Sequence, residues 1–156
     1  MKIEKLDEAY DKCIASGSIR YANEVDTEKA KSLLENAEHD LDSITEVTAV
    51  LEKKKSFGLL WSNRYEIIRQ LVSGILLFEK TVSDNHKCLY AYLCMKHGGW
   101  EIEWETIETM RLLRNGIHYE GRPVSAETWQ SFRLKFDVYT KSFLKILKQR
   151  IKEYRD

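Results

Sequence analysis

Apolar residues recur at intervals of three and four along almost the whole chain, and no stretch alternates apolar and polar residues over the length of a strand. Intervals of three and four mark one face of an α-helix, whereas a half-buried strand has a period of two. The chain has 156 residues, 43% of them hydrophobic and one of them proline, which suits one domain with a sizeable core. We therefore predict a single all-α domain over residues 1–156, with no sheet.

Turn and capping residues divide this pattern into about six helices. Phe57-Gly58 interrupts the apolar pattern, and Asn63 followed three residues later by Glu66 resembles a capping box that opens the third helix. The predicted helices cover about residues 3–15, 26–54, 63–82, 85–96, 104–115 and 125–156. Long helices joined by short connections are typical of an antiparallel helical bundle.

The overall charge excludes binding to nucleic acid through a net positive charge of the whole protein. The chain has 25 basic and 25 acidic residues, so its formal net charge is zero. The charge is unevenly distributed, because residues 1–52 have a net charge of −7 and residues 133–156 a net charge of +5. Any contact with phosphate must therefore be local.

The sequence suggests a cytoplasmic protein that does not associate with a membrane. Its start has no apolar signal-like region, and its longest apolar run is too short to cross a bilayer.

Three cysteines, Cys13, Cys88 and Cys94, with no C-x-x-C pair, predict reduced core thiols and no disulfide. A zinc site is not expected, because His86 and His97 would lie about 16 Å apart along a helix. We expect no metal or other cofactor.

The most informative segment contains Arg111, Arg114 and His118. If its helix continues to His118, the three side chains fall within about 60° of one another around the helix axis. The neighbouring stripe is apolar and consists of Met110, Leu113 and Ile117. The arginines and the histidine would then lie at the edge of the packed face, where a groove or a subunit interface would be.

These three residue types suit phosphodiester chemistry. A histidine can take a proton from a ribose 2′-hydroxyl or return one to a leaving oxygen, and an arginine offers paired donors to a charged phosphorane. No metal would be required. The alternative is structural: the arginines would pair with acidic residues such as Glu105 or Glu108, and His118 would be a half-buried polar residue at a helix end.

The run from Arg114 to Tyr119, Arg-Asn-Gly-Ile-His-Tyr, resembles the signature of HEPN domains (higher eukaryote and prokaryote nucleotide-binding). That signature is an Arg, often followed by Asn or another polar residue, then four to six residues and a His. The upstream order is also similar, with the segments Ala30–Leu34, Arg64–Arg69 and His86–Leu89 on three successive helices. The resemblance covers residues 26–150, and the N-terminal helix in residues 1–20 is expected to pack on this core or extend it.

The resemblance implies a bundle of four or five helices, usually a homodimer, in which Arg and His of both subunits line a shared cleft. Many HEPN proteins are metal-independent endoribonucleases, often toxins or defence factors. Many small ones are encoded with a minimal nucleotidyltransferase, so the alternative is a non-catalytic module that binds nucleotide or pairs with such an enzyme. The Arg-Asn dipeptide favours Arg114 as the motif arginine, whereas the spacing to the histidine favours Arg111, and both remain open.

Four further residues are predicted to support the site: Asn115, Tyr119, Glu66 and Arg69. Glu66, Arg69 and Ser73 share one face of the third helix, and in HEPN proteins polar residues of this helix can assist the cleft. Glu66 could instead serve only the capping box. In some HEPN toxins a tyrosine near the histidine receives a nucleotidyl group, which would correspond to Tyr119.

A homodimer is also predicted from the apolar third helix. This helix has more apolar positions than one buried stripe requires, so a second chain could cover part of its surface. The positions are Ile67, Ile68, Leu71, Val72, Ile75, Leu76, Leu77 and Phe78. The Arg111, Arg114 and His118 stripe would then lie near the two-fold axis.

Overall fold

The computed structural model describes residues 2–155, which form six α-helices, a short 3-10 helix and two strands of two residues each. The α-helices are α1 (Leu6–Ala15), α2 (Thr27–Lys53), α3 (Phe57–Leu77), α4 (His86–Lys96), α5 (Trp104–Glu120) and α6 (Ala126–Glu153). The all-α prediction is confirmed. None of these helices has the length and apolar character needed to cross a membrane.

One antiparallel strand pair corrects the prediction that the chain has no sheet. β1 (Arg20–Tyr21) pairs with β2 (Thr81–Val82), with Arg20 opposite Val82. Two residues are too few to show a period of two in the sequence. The pair forms because the connections after α1 and α3 meet in the folded chain.

The boundary between α2 and α3 differs from the prediction. Lys55 has a φ of 59° and makes the turn, so α3 begins at Phe57 and includes Gly58. The predicted capping box is wrong, because Asn63 lies inside α3 and its side-chain amide donates to the carbonyl oxygen of Leu59 at 2.9 Å. α3 also ends at Leu77, earlier than predicted.

α3 is the central helix and packs against α2, α4, α5 and α6. The indole Nε1 of Trp61 donates to the carbonyl oxygen of Met110 in α5 at 2.9 Å, and its ring meets Phe136 of α6 edge-on, with 5.0 Å between centroids. Gly74 lets α6 approach closely, because a Cβ there would lie 2.9 Å from a methyl group of Leu147. These contacts hold α5 and α6 against α3.

The same packing removes the argument for a dimer that was based on α3. Its apolar residues from Ile67 to Leu77 are buried within the single chain, and Phe78 is partly buried against the same core. The excess apolar positions are covered by α2, α4, α5 and α6, since α3 has neighbours on several sides. The homodimer stays a prediction without this support.

The cysteine prediction is wrong for two of the three residues. Cys13 of α1 and Cys88 of α4 form a disulfide across 75 residues of sequence, because α1 packs on α4. Sequence spacing does not reveal this approach. Cys94 is a free, buried thiol, and burial raises its pKa to about 12. Since disulfides are rare in the reducing cytosol, the predicted cytoplasmic location gains no support from these cysteines.

Candidate functional site

α5 extends five residues beyond its predicted end, and this extension creates the expected stripe. The helix stops at Glu120 because Gly121 adopts a left-handed conformation with φ 63°, and the N–H of Arg122 donates to the carbonyl oxygen of Gly116 at 3.0 Å. Arg111, Arg114 and His118 therefore lie on one continuous helix. The adjacent stripe faces the core, with Met110 fully buried and Leu113 and Ile117 partly buried.

Arg111 is engaged in a buried ion pair. Its Nε and one Nη donate to the two carboxylate oxygens of Glu108 at 2.8 and 2.6 Å. Glu108 is only 1% exposed. Burial lowers the pKa of Arg111, but the hydrogen bond and the charge of Glu108 outweigh it and leave the pKa raised. The structural alternative therefore holds for Arg111, with Glu108 as its partner and not Glu105.

Arg114 is in a different position, because no carboxylate among residues 2–155 lies within ion-pair distance of its guanidinium. Its Nη1 donates to the side-chain oxygen of Asn115 at a long 3.4 Å. The guanidinium carbon lies 5.7 Å from the centroid of the Tyr65 ring, within the range of a cation–π contact. Neutral side chains therefore hold the guanidinium group in place, and they do not neutralise its positive charge.

A shallow cavity of about 380 Å³, here called the His118 cavity, lies on one side of Arg114. It is lined by Leu59, Ser62, Asn63, Glu66, Arg114 and His118. His118 is exposed, and its Nε2 lies 3.1 Å from the hydroxyl oxygen of Ser62. α3 therefore orients the imidazole that α5 provides, while the ring remains accessible to a substrate.

A second cavity of about 210 Å³, here called the His86 cavity, lies on the other side of Arg114. Its lining consists of Asp84, His86, Arg111, Arg114, Asn115 and Tyr119. Arg114 borders both cavities. Tyr119 is 76% exposed and lies at the surface of this cavity. The predicted supporting residues Asn115 and Tyr119 therefore line the cavity that holds Arg111, and not the one that holds His118.

His86 also lines this site, although the sequence suggested it only as a candidate metal ligand and as part of the segment that opens α4. Its Nδ1 lies 3.1 Å from the hydroxyl oxygen of Tyr65. Burial raises the pKa of Tyr65 to about 12, so the phenol keeps its proton. Burial, followed by the charges of Arg69 and Arg114, lowers the pKa of His86.

Three of the four residues of the rejected zinc set have separate partners. Cys88 is in the disulfide, His86 binds Tyr65, and His97 binds Glu79 through Nε2 at 2.7 Å. Cys94 is buried as a free thiol. The sequence did place His86 directly after the cap Asn85 of α4, but no pattern in it indicated that this helix start would face Arg114.

Polar residues of α3 line two different cavities. Arg69 donates to Glu66 through Nε at 2.9 and 3.0 Å and through Nη2 at 2.5 Å. This hydrogen bond raises the pKa of Arg69. Glu66 faces the His118 cavity, so it is a lining residue in mid-helix and not a capping residue. Arg69 lines a different cavity.

The arrangement places a cation between two imidazoles of different character. Arg114 offers positive charge, His118 offers an exposed imidazole, and His86 offers a partly buried imidazole whose pKa is lowered. A phosphodiester has the charge and the hydrogen-bond acceptors that these groups recognise.

Comparison of the chain with protein-family models, with curated proteins and with solved structures finds no match in any of the three. The assignment of function therefore depends on the geometry around Arg114 and on the motif in α5.

Proposed function

We propose that this is a HEPN-type, RNA-directed protein that cleaves phosphodiester bonds without a metal. The observation that carries the proposal is the position of Arg114, an arginine with no carboxylate partner among residues 2–155, between two cavities that each contain a histidine. A phosphate bound there would supply the missing negative charge. The toxin or defence role implied by the HEPN resemblance is part of this proposal.

The proposed reaction is attack of a ribose 2′-hydroxyl on the adjacent phosphorus. His118 takes the hydroxyl proton as the O2′–P bond forms, and it gives a proton to the 5′ oxygen as the P–O5′ bond breaks. The products are a 2′,3′-cyclic phosphate and a free 5′-hydroxyl. The hydroxyl of Ser62 positions the imidazole of His118, so the ring does not need to be oriented during the reaction.

Arg114 is the proposed phosphate contact. Its guanidinium would bind the non-bridging oxygens and stabilise the negative charge of the phosphorane. One turn separates Arg114 from His118, so their side chains can reach the same phosphate. Arg111 is assigned a different role: its pair with Glu108 fixes one wall of the His86 cavity. This supports Arg114, and not Arg111, as the motif arginine.

The test is RNA cleavage in the presence of EDTA. Wild-type protein is incubated with single-stranded and with structured RNA, beside His118→Ala and the control His39→Ala, which removes an exposed histidine of α2. We expect cleavage by wild type and by His39→Ala and none by His118→Ala. Equal cleavage by His118→Ala, or no cleavage of any RNA by wild type, contradicts the proposal.

A second candidate is a non-catalytic HEPN module that pairs with a nucleotidyltransferase. The exposed phenol of Tyr119 favours it, because a partner enzyme could reach this side chain beside the site. This candidate predicts co-purification with a small nucleotidyltransferase and a nucleotidyl mass increase on Tyr119. An unmodified protein that cleaves RNA would contradict it.

The homodimer with a shared Arg114 and His118 cleft also belongs to the proposal. A dimer has twice the 18.4 kDa of one chain, which light scattering resolves at micromolar concentration. A measured mass of about 18 kDa across that range contradicts it. We expect the dimer mass, and we expect Arg114→Ala to leave it unchanged.

A further inference from the structure

The carboxylates around Arg114 are all bound by other arginines. One of them lines the His118 cavity, one lines the His86 cavity, and one lies on α5 itself. Each accepts a hydrogen bond from a different arginine, and the three pairs are Arg69–Glu66, Arg20–Asp84 and Arg111–Glu108. The net charge of each pair is zero. Among the arginines that line the two cavities, Arg114 is therefore the one whose charge is unmatched.

The carboxylate that faces Arg114 across the His118 cavity is that of Glu66. Arg114 is the one lysine or arginine, within the described residues 2–155, that lines this cavity together with Glu66. Arg69 donates to both carboxylate oxygens of Glu66, at distances of 2.5, 2.9 and 3.0 Å. Arg69 does not line the His118 cavity. It therefore binds the carboxylate without occupying the place of a substrate.

The other two pairs have less influence on the site. Glu108 is 1% exposed, and Arg111 binds both of its oxygens in a buried pair. The side chain of Asp84 is 95% exposed, so water screens its pair with Arg20. The side chain of Glu66 is 41% exposed and lies between these extremes. Its charge is accessible from the cavity and is only partly screened by water.

Without Arg69, the carboxylate of Glu66 would lie beside an arginine that has no anionic partner. In the folded chain the guanidinium of Arg114 contacts the side-chain oxygen of Asn115 at 3.4 Å and the ring of Tyr65. Both of these groups are neutral, and a carboxylate attracts a guanidinium more strongly than they do. An ion pair with Glu66 would occupy the donors that a phosphate needs. Glu66 is thus a competitor of the phosphate.

We propose that Arg69 is a positioning residue of the phosphate site, which keeps Glu66 away from Arg114 and leaves its guanidinium available to an RNA phosphate. The inference rests on the proposed function, because the role of Arg69 is defined by the phosphate that Arg114 binds. Arg69 does not touch the substrate and acts through Glu66. An arginine suits this role, because its planar fork can bind both oxygens of one carboxylate at the same time.

The first test needs no RNA and measures the NMR resonance of the Arg114 Nε–H group in ¹⁵N-labelled protein. A new carboxylate partner changes the shielding of this group, so Arg69→Ala should shift the resonance. The shift should be absent when Arg69→Ala is compared with wild type in a Glu66→Gln background, because an amide has no charge. The control Arg133→Ala breaks another partly exposed pair, with Glu52, and should leave the resonance in place. An unshifted resonance in Arg69→Ala overturns the inference.

The second test is binding of a short single-stranded RNA in EDTA, followed by anisotropy. We expect Arg69→Ala to weaken binding about tenfold and to reduce the slope of log K against log salt by about 0.7, as neutralisation of one phosphate contact does. In the Glu66→Gln background, the effect of Arg69→Ala should be less than about twofold. An equal loss in both backgrounds would show that Arg69 contacts the RNA directly or only supports the fold, and it contradicts the inference.

Two further variants separate charge from folding. Arg69→Gln keeps the aliphatic stem and removes the charge, so it should behave like Arg69→Ala, whereas Arg69→Lys keeps a cation beside Glu66 and should bind RNA nearly as well as wild type. Circular dichroism checks that each variant keeps its helical fold. If wild type binds no RNA, the proposed function fails, while the Arg114 resonance still decides whether Arg69 keeps Glu66 away from it.

Discussion

Two regions of the molecule differ in how completely their charged side chains are paired. In the closed region, made of α1, the body of α4 and the first half of α5, ionic groups are paired: Glu4 accepts hydrogen bonds from Lys12 and Lys87, and Glu108 holds Arg111. In the open region, made of the second half of α5 and the polar face of α3, Arg69 pairs with Glu66, but Arg114 has no carboxylate partner among residues 2–155.

The difference indicates which charges serve the fold and which are available to a ligand. Hydrogen bonds from Lys12 and Lys87 lower the pKa of Glu4 to about 2, so this carboxylate is ionised at neutral pH. A buried charge such as Glu108 needs its partner, because an unpaired charge in a low-dielectric interior is strongly unfavourable. Arg114 is half-buried and remains accessible to an external anion.

The largest expected effect is in the closed region, on removal of the disulfide. Loop-closure entropy predicts that Cys13→Ser/Cys88→Ser lowers the free energy of unfolding by about 4 kcal/mol for a crosslink of this span. Urea denaturation with and without reductant measures the change. Reductant should destabilise wild type and have no effect on the double variant. Equal stability of oxidised wild type and double variant would show that the crosslink does not support the closed region.

Glu108→Ala tests the buried pair and should cost about 3 kcal/mol, because it leaves Arg111 without its partner in a largely buried position. Glu105→Ala, an exposed position on the same helix, is the control and should change the free energy of unfolding by less than about 1 kcal/mol. A loss below 1 kcal/mol for Glu108→Ala would remove the distinction between the two regions.

In the open region, Arg114→Ala should leave stability within about 1 kcal/mol of wild type but lower the rate of RNA cleavage about a hundredfold. That loss corresponds to about 3 kcal/mol of transition-state stabilisation by one charge-assisted contact. Arg111→Ala is the comparison: it should be less stable, because Glu108 loses its partner, and should retain more activity per folded molecule. A larger defect in Arg111→Ala at equal folding would reverse the assignment of the two arginines.

The smallest effect concerns pH. The pKa of His86 lies below its ordinary value of 6.5 because of burial and the charges of Arg69 and Arg114. Below pH 6.5 the unfolded chain therefore binds a proton more readily than the folded chain, and the free energy of unfolding falls as the pH is lowered. His86→Gln should show a weaker fall in urea titrations between pH 7 and 5. An identical slope in both proteins would show that His86 is not held neutral.

The features that could be predicted from the sequence are those that are periodic and local. The intervals of three and four predicted the six helices, and Asp26, Asn85 and Ser125 cap three of them through hydrogen bonds to backbone N–H groups. The common face of Arg111, Arg114 and His118 also followed from helix geometry. These features depend on residues close together in the chain.

The remaining features depend on contacts between distant segments. The disulfide requires α1 to lie on α4, and the place of His86 in the site requires the start of α4 to face α5. Glu108 is three residues from Arg111 and six from Arg114, so helical spacing allows a pair with Arg111 and not with Arg114, but it does not show that Glu108 is buried. The inward orientation of Glu108 in the folded chain determines the result.

The most direct test of the central claim is the salt dependence of RNA binding by wild type and Arg114→Ala. Anisotropy with a short single-stranded RNA in EDTA gives Kd at several salt concentrations, with Arg133→Ala, an arginine of α6 paired with Glu52, as control. If Arg114 contacts a phosphate, its removal should weaken binding and reduce the slope of log K against log salt by about 0.7, while Arg133→Ala matches wild type. Unchanged affinity and slope in Arg114→Ala would contradict the claim that this charge is held for a phosphate.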